Sequence, residues 1–196
     1  MMINFTNTHL FIGIVILAIV LIILWKKNKS FSYLFFFSIF LLYIISVVSV
    51  VAFPFPIGYP NPDFKPSVNL VPFDFGICHP DMLPLCIRNI YENILLTVPF
   101  GFGVGFIFRV RSKNVLWLAV AVGFTFELIQ LIISFVTRNS FRVVDINDVI
   151  LNVTGVLLGY GFFRIFGWLY SYITNRLKIH HRHIFTYIYD VVRQSQ

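Results

Sequence analysis

The chain alternates long apolar runs with short polar interruptions, and these runs set its plan. Apolar stretches cover residues 10–25, 31–53, 90–108, 115–136 and 149–170. Crossing a bilayer takes about 20 apolar residues in a helix. The pattern therefore predicts an all-α, polytopic membrane helix bundle of five transmembrane helices, one domain over residues 1–170. The first run is slightly short, but His9 and the flanking Lys26, Lys27 and Lys29 can complete its ends. It lacks the preceding positive charge and following small-residue cleavage site of a signal peptide, so a retained helix is expected.

The interruptions differ in kind. Residues 54–89 hold Pro54, Pro56, Pro60, Pro62, Pro66, Pro72, Pro80 and Pro84, and proline both removes a backbone donor and disfavours helix in the residue before it. An extended or turned connection is expected there. With Phe53, Phe55, Tyr59, Phe64, Phe73 and Phe75 spread through it, that connection should lie on the membrane surface or over the bundle. The third run is irregular, with Glu92 and Asn93 near its start, Pro99 in its middle and Gly101, Gly103 and Gly105 after it. No strand precedes the glycines, so a phosphate-binding loop is not expected; Pro99 should kink the helix, and Gly101 and Gly105 should allow close packing. In the tail, residues 171–196, Leu177, Ile184, Ile188 and Val191 recur near helical spacing beside His180, His181, Arg182 and His183. That predicts a basic amphipathic helix on the inner leaflet.

Composition settles the solvent. Of 196 residues, 58% are hydrophobic and only 12% charged, and the mean hydropathy is +0.85, which suits a membrane protein and not a soluble domain. The net charge of +7 does not imply nucleic acid, because the basic residues punctuate apolar runs instead of forming one folded face. Placing Lys26–Lys29, Arg109, Arg111, Lys113 and the tail in the cytoplasm gives an outer amino terminus, an inner carboxyl terminus, and outer loops at 54–89 and 137–148.

That topology gathers polar residues near the outer leaflet. Glu127 would lie roughly 13 Å below the outer end of its helix, Gln130 roughly 9 Å and Asn152 roughly 6 Å. Glu127 and Gln130 share one side of the fourth helix, while Asp145, Asp148 and Asn152 follow i, i+3, i+7 on the fifth, with Asn147 off that line. Gly155 and Gly159 continue close to that side and should admit a neighbouring helix. Asn93 and Glu92 approach from the third helix. Structural readings stand beside the functional one: Asp145 as a helix cap, Asp148 as favourable charge in the first turn, Gln130 as interhelical glue, and Arg142, or Arg138, as an ion-pair partner for Glu127.

Four blocks in this order resemble the VanZ-like family of small bacterial membrane proteins associated with low-level teicoplanin resistance: Asn69-Leu70-Val71-Pro72-Phe73, Asn93 through Gly101, Phe126-Glu127-Leu128-Ile129-Gln130, and Asp145 through Asn152 with Gly155 and Gly159. The resemblance covers about residues 43–166. Thr97 stands where an aromatic is common in that family. What the resemblance implies is glycopeptide tolerance, teicoplanin above vancomycin, in the bacterial cytoplasmic membrane, without remaking of the peptidoglycan precursor and with no established reaction.

Cys78 and Cys86 fall in the outer loop, where a disulfide and two free thiols are both open. With His79 they offer three zinc ligands but no fourth at the usual spacing, so no metal is expected. The first functional expectation is a non-enzymatic envelope protein that binds a membrane lipid, a lipid-linked wall precursor or the glycopeptide itself through Glu127, Gln130, Arg142, Asp145, Asp148, Asn152 and Asn93, without a cofactor or nucleic acid. The alternative is an intramembrane enzyme using carboxylates or Mg²⁺ on a lipid-linked precursor, although no Ser, Cys or His stands beside these acids as nucleophile. A small lipid transporter is the third reading. The oligomeric state stays open.

Overall fold

The computed structural model describes residues 2–58, 61–76, 78, 80–108, 110–140, 142–177 and 184–195. Tyr59, Pro60, His79, Arg109, Lys178 and His180–His183 lie outside them. Among the described residues there are six helices: α1 (Asn7–Lys26), α2 (Phe31–Val51), α3 (Leu83–Ile107), α4 (Ser112–Thr137), α5 (Ile146–Leu177) and α6 (Ile184–Ser195). The first five are long and apolar enough to cross a membrane, the makeup of a multi-pass membrane protein.

Two helices outrun their apolar runs for identifiable reasons. The third helix begins at Leu83, not at 90, because proline is tolerated in a helix's first turn, where its missing N–H would have had no partner, and Pro84 occupies that turn. The fifth begins at Ile146 and continues to Leu177, a rise of roughly 48 Å against a hydrocarbon core of about 30 Å. Its last turns therefore extend past the span expected at 149–170.

Helices α3 and α5 form the central pair. At Gly101 a Cβ would overlap the Val156 carbonyl oxygen, at Gly159 that of Val98, and at Gly155 that of Ile94 and the Thr97 hydroxyl. The two backbones touch at these positions, as small residues permit. Pro99 lies inside α3. Tyr43 on α2 donates to the Leu96 carbonyl at 2.6 Å, fixing α2 against the other face of α3. Helix α4 packs on α5, and α1 touches mainly α2. Only Leu17 of α1 is buried, while buried residues recur along α5 from Asn147 to Gly167.

The ends of the bundle are unlike. At one end, here the turn end, short connections join α1 to α2 and α3 to α4 beside an aromatic core in which the Phe106 ring stacks on Phe36 at 4.8 Å and meets the Phe163 edge at 5.2 Å. Helix α6 folds back there: Val192 is fully buried against Gly167, and the Tyr187 hydroxyl donates to the Phe106 carbonyl. The stripe expected on a lipid leaflet is thus divided. Leu177 ends α5, while Ile188 and Val191 pack on the bundle.

The other end, the loop end, carries the described residues of 52–82 and 138–145. Two short pairings order it: β1 (Met2–Ile3) runs antiparallel to β2 (Phe55–Pro56), and β3 (Val68–Asn69) runs parallel to β4 (Val144–Asp145). A disulfide joins Cys78 to Cys86.

Candidate functional site

The polar residues meet at the loop end, where α3 and α5 begin and α4 finishes. Asp145 stands one residue before α5, and its Oδ1 accepts the Asn147 N–H at 2.8 Å, the geometry of a side chain capping the first turn. Its own N–H donates to Glu127 Oε2 at 2.8 Å. Glu127 is thereby held by backbone across the α4–α5 contact. Its other oxygen, Oε1, is buried with no hydrogen-bond partner, and the residue is 4% exposed.

Asp148 faces α3. Asn93 Nδ2 donates to its Oδ1 at 2.9 Å, and Asn89 Nδ2 reaches the same atom at 3.3 Å. One turn deeper, Asn152 is 1% exposed with an unpartnered Oδ1, while its backbone carbonyl accepts from Thr97 Oγ1 at 2.8 Å. Thr97 is fully buried against Gly155, so this α3–α5 contact has no room for an aromatic side chain.

Asn147, which the helical spacing sets apart, is the hub of the loop end. Its Nδ2 donates to the carbonyls of Val71 at 3.2 Å and Asp74 at 2.8 Å and to Asp145 Oδ1, while its Oδ1 accepts the Phe73 N–H. Asn69 completes the clamp, donating to both Asp145 oxygens at 3.2 and 3.3 Å and accepting the Val71 N–H on Oδ1. The turn holds Phe73 at a φ of 65°, a left-handed conformation costly for a bulky residue. Leu70, Val71 and Phe73 are left exposed at 72%, 57% and 74%. Helix periodicity could not reveal Asn147 because Asp145 precedes the helix. The readable signal was Asp-x-Asn at a helix start, a local side-chain-to-backbone turn.

Three expectations fail. The Glu127–Arg142 ion pair does not form: Arg142 Nη2 donates to the carbonyls of Val50 and Phe53, both at 2.9 Å, and so closes the carboxyl end of α2. Burial pushes this guanidinium below its ordinary pKa, while the negative charges of Glu127 and Asp148 act in the opposite sense. Arg138 ends α4 in a left-handed conformation, exposed. Glu92 does not join the site either. It pairs with Arg88 at 2.7 Å on an exposed face, the only ion pair among the described residues. Gln130 stands with Arg142 around a separate crevice of about 10 Å³, roughly one water, and not with Asp148.

The family model VanZ/LLP1 matches residues 40–167, well over half the chain. The chain belongs to the VanZ/LLP1 family. Membership makes it, in general terms, a VanZ-like, resistance-associated membrane protein. The VanZ/LLP1 match runs from α2 through most of α5 and contains the whole carboxylate and asparagine network, leaving α1 and α6 outside. Neither curated proteins nor solved structures give a match.

Chemically, the candidate site is a set of acceptors. Amide and backbone donors occupy Glu127 Oε2, Asp145 and Asp148, and two oxygens remain buried and unanswered. Such atoms in a low-dielectric interior are costly unless a donor reaches them. Among the described residues, no three His, Cys, Asp or Glu side chains are grouped so as to hold a metal ion.

Proposed function

We propose that this chain sits in the bacterial cytoplasmic membrane with its loop end outward and its carboxyl terminus inside, and lowers glycopeptide susceptibility by binding a lipid or lipid-linked wall precursor through the polar head group. The observation that carries this is the pair of buried, unpartnered acceptors, Glu127 Oε1 and Asn152 Oδ1, in the same end of the bundle as exposed Leu70, Val71 and Phe73. Acceptors call for a donor-rich head group, with hydroxyls, amides or an ammonium, and the apolar rim suits the chain attached to it. Asp148, Asn93 and Asp145 hold the walls, and Arg142 ties them to α2.

Expression in a glycopeptide-sensitive strain should raise teicoplanin tolerance more than vancomycin tolerance. Glu127→Gln, Asp145→Asn and Asp148→Asn should each reduce the gain at equal protein level. If all three keep the effect, the site is wrong. Incubation of the purified protein with labelled lipid-linked precursor, with and without Mg²⁺, should give binding without turnover; turnover lost in Asp148→Asn would replace binding by catalysis.

A further inference from the structure

A large cavity lies at the opposite end from this site and takes no part in it. About 810 Å³ in volume, within the range of small-ligand pockets, it opens between the starts of α2 and α4, the end of α3, α5 and α6. Its apolar wall includes Phe106 and Phe163, and its polar rim Lys29, Arg111, Ser112 and Asp190. Neither Lys29 nor Arg111 is ion-paired among the described residues, so the rim carries two cations against one carboxylate. Ser112 opens α4. Arg164 Nη1 donates to its hydroxyl at 3.2 Å, and the Tyr160 hydroxyl lies 3.2 Å from it. No side chain caps that first turn, and the start of a helix favours an anion.

We infer that this cavity is a second binding site, which takes the anionic phosphate head group of a membrane lipid between Lys29, Arg111 and the start of α4, with its apolar part against Phe106 and Phe163. Basic residues here would serve topology alone if they stood on an open surface. Lys29 and Arg111, though exposed, instead border a half-open cavity with an aromatic wall, and α6 forms one side of it.

The test uses the full-length protein in uncharged detergent, with native mass spectrometry of bound didecanoyl phosphatidic acid, of phosphatidylcholine with the same chains, and of inorganic phosphate. Phosphatidic acid should be retained over phosphatidylcholine, and inorganic phosphate should not displace it. Lys29→Gln with Arg111→Gln should weaken retention about tenfold or more, as expected for loss of charged hydrogen bonds. Lys26→Gln with Lys113→Gln, cations of the same end that do not line the cavity, should leave it unchanged. Equal retention of phosphatidylcholine, or an equal loss in the Lys26/Lys113 variant, overturns the site. Displacement by inorganic phosphate makes the occupant a free anion and overturns the lipid.

Discussion

The two ends of the α3–α5 pair solve the same packing problem with opposite chemistry. At the turn end, Phe106, Phe163 and Tyr160 fill the space between helices by shape. At the loop end the same helices are joined by directed bonds from Asn93 and Thr97, and Asn147 binds the 71–74 turn onto α5 in the same way. Shape tolerates a void, and the turn end contains one. Directed bonds tolerate little, because each lost partner strands a buried atom. The difference places a roomy apolar-walled cavity at one end and a tightly satisfied network with two spare acceptors at the other.

The comparison breaks most completely where both ends depend on one contact. Gly159→Leu places a side chain in the Val98 backbone, and a cost of about 5 kcal/mol is expected, enough to remove folded protein. Size-exclusion chromatography of the detergent-solubilised variant should show loss of the monodisperse species. Phe163→Ala should cost about 4 kcal/mol and loosen only the turn end. Hydrogen exchange should then rise at 104–112 and 184–195 and stay level at 68–74. Asn147→Ala reverses that pattern at about 3 kcal/mol, freeing the Val71 and Asp74 carbonyls and the Phe73 N–H, with exchange rising at 68–76 alone. The smallest effect, about 1 kcal/mol in thermal unfolding, belongs to Arg142→Gln, which uncaps α2 and leaves the Glu127–Asp145 bond in place. Loss of that bond in Arg142→Gln, read as faster exchange at the Asp145 amide, would mean that Arg142 supports the carboxylates directly.

The five long helices were legible because each is a continuous apolar run, and Gly101, Gly155 and Gly159 marked the close contact through their spacing. Glu127 and Asn93 were legible because polar atoms in an apolar run need partners, and Asp148 because it follows Asp145 at helical spacing. Arg142 and Asn147 were not, for one shared reason: both act from or toward irregular backbone, where no period predicts direction. Arg142 seemed to belong to the nearest opposite charge, yet the uncapped end of α2 offered it two carbonyls. Helix α6 was legible as amphipathic, but hydrophobic spacing does not say whether lipid or protein covers the stripe.

The clamp of residues 69–74 onto Asn147 also bears on biogenesis. The loop that supplies Asn69 and Phe73 is synthesised two full helices ahead of Asn147, and α3 must wait for α5 because α4 comes between them in the chain. Neither the loop's turn nor the head of α3 has its partners until the fifth helix has entered the bilayer, and long-range closure of this kind comes late in assembly. A chain arrested before α5 would present Asn89 and Asn93 to lipid with no carboxylate opposite them. The network is thus complete only in molecules whose third, fourth and fifth helices have all been inserted.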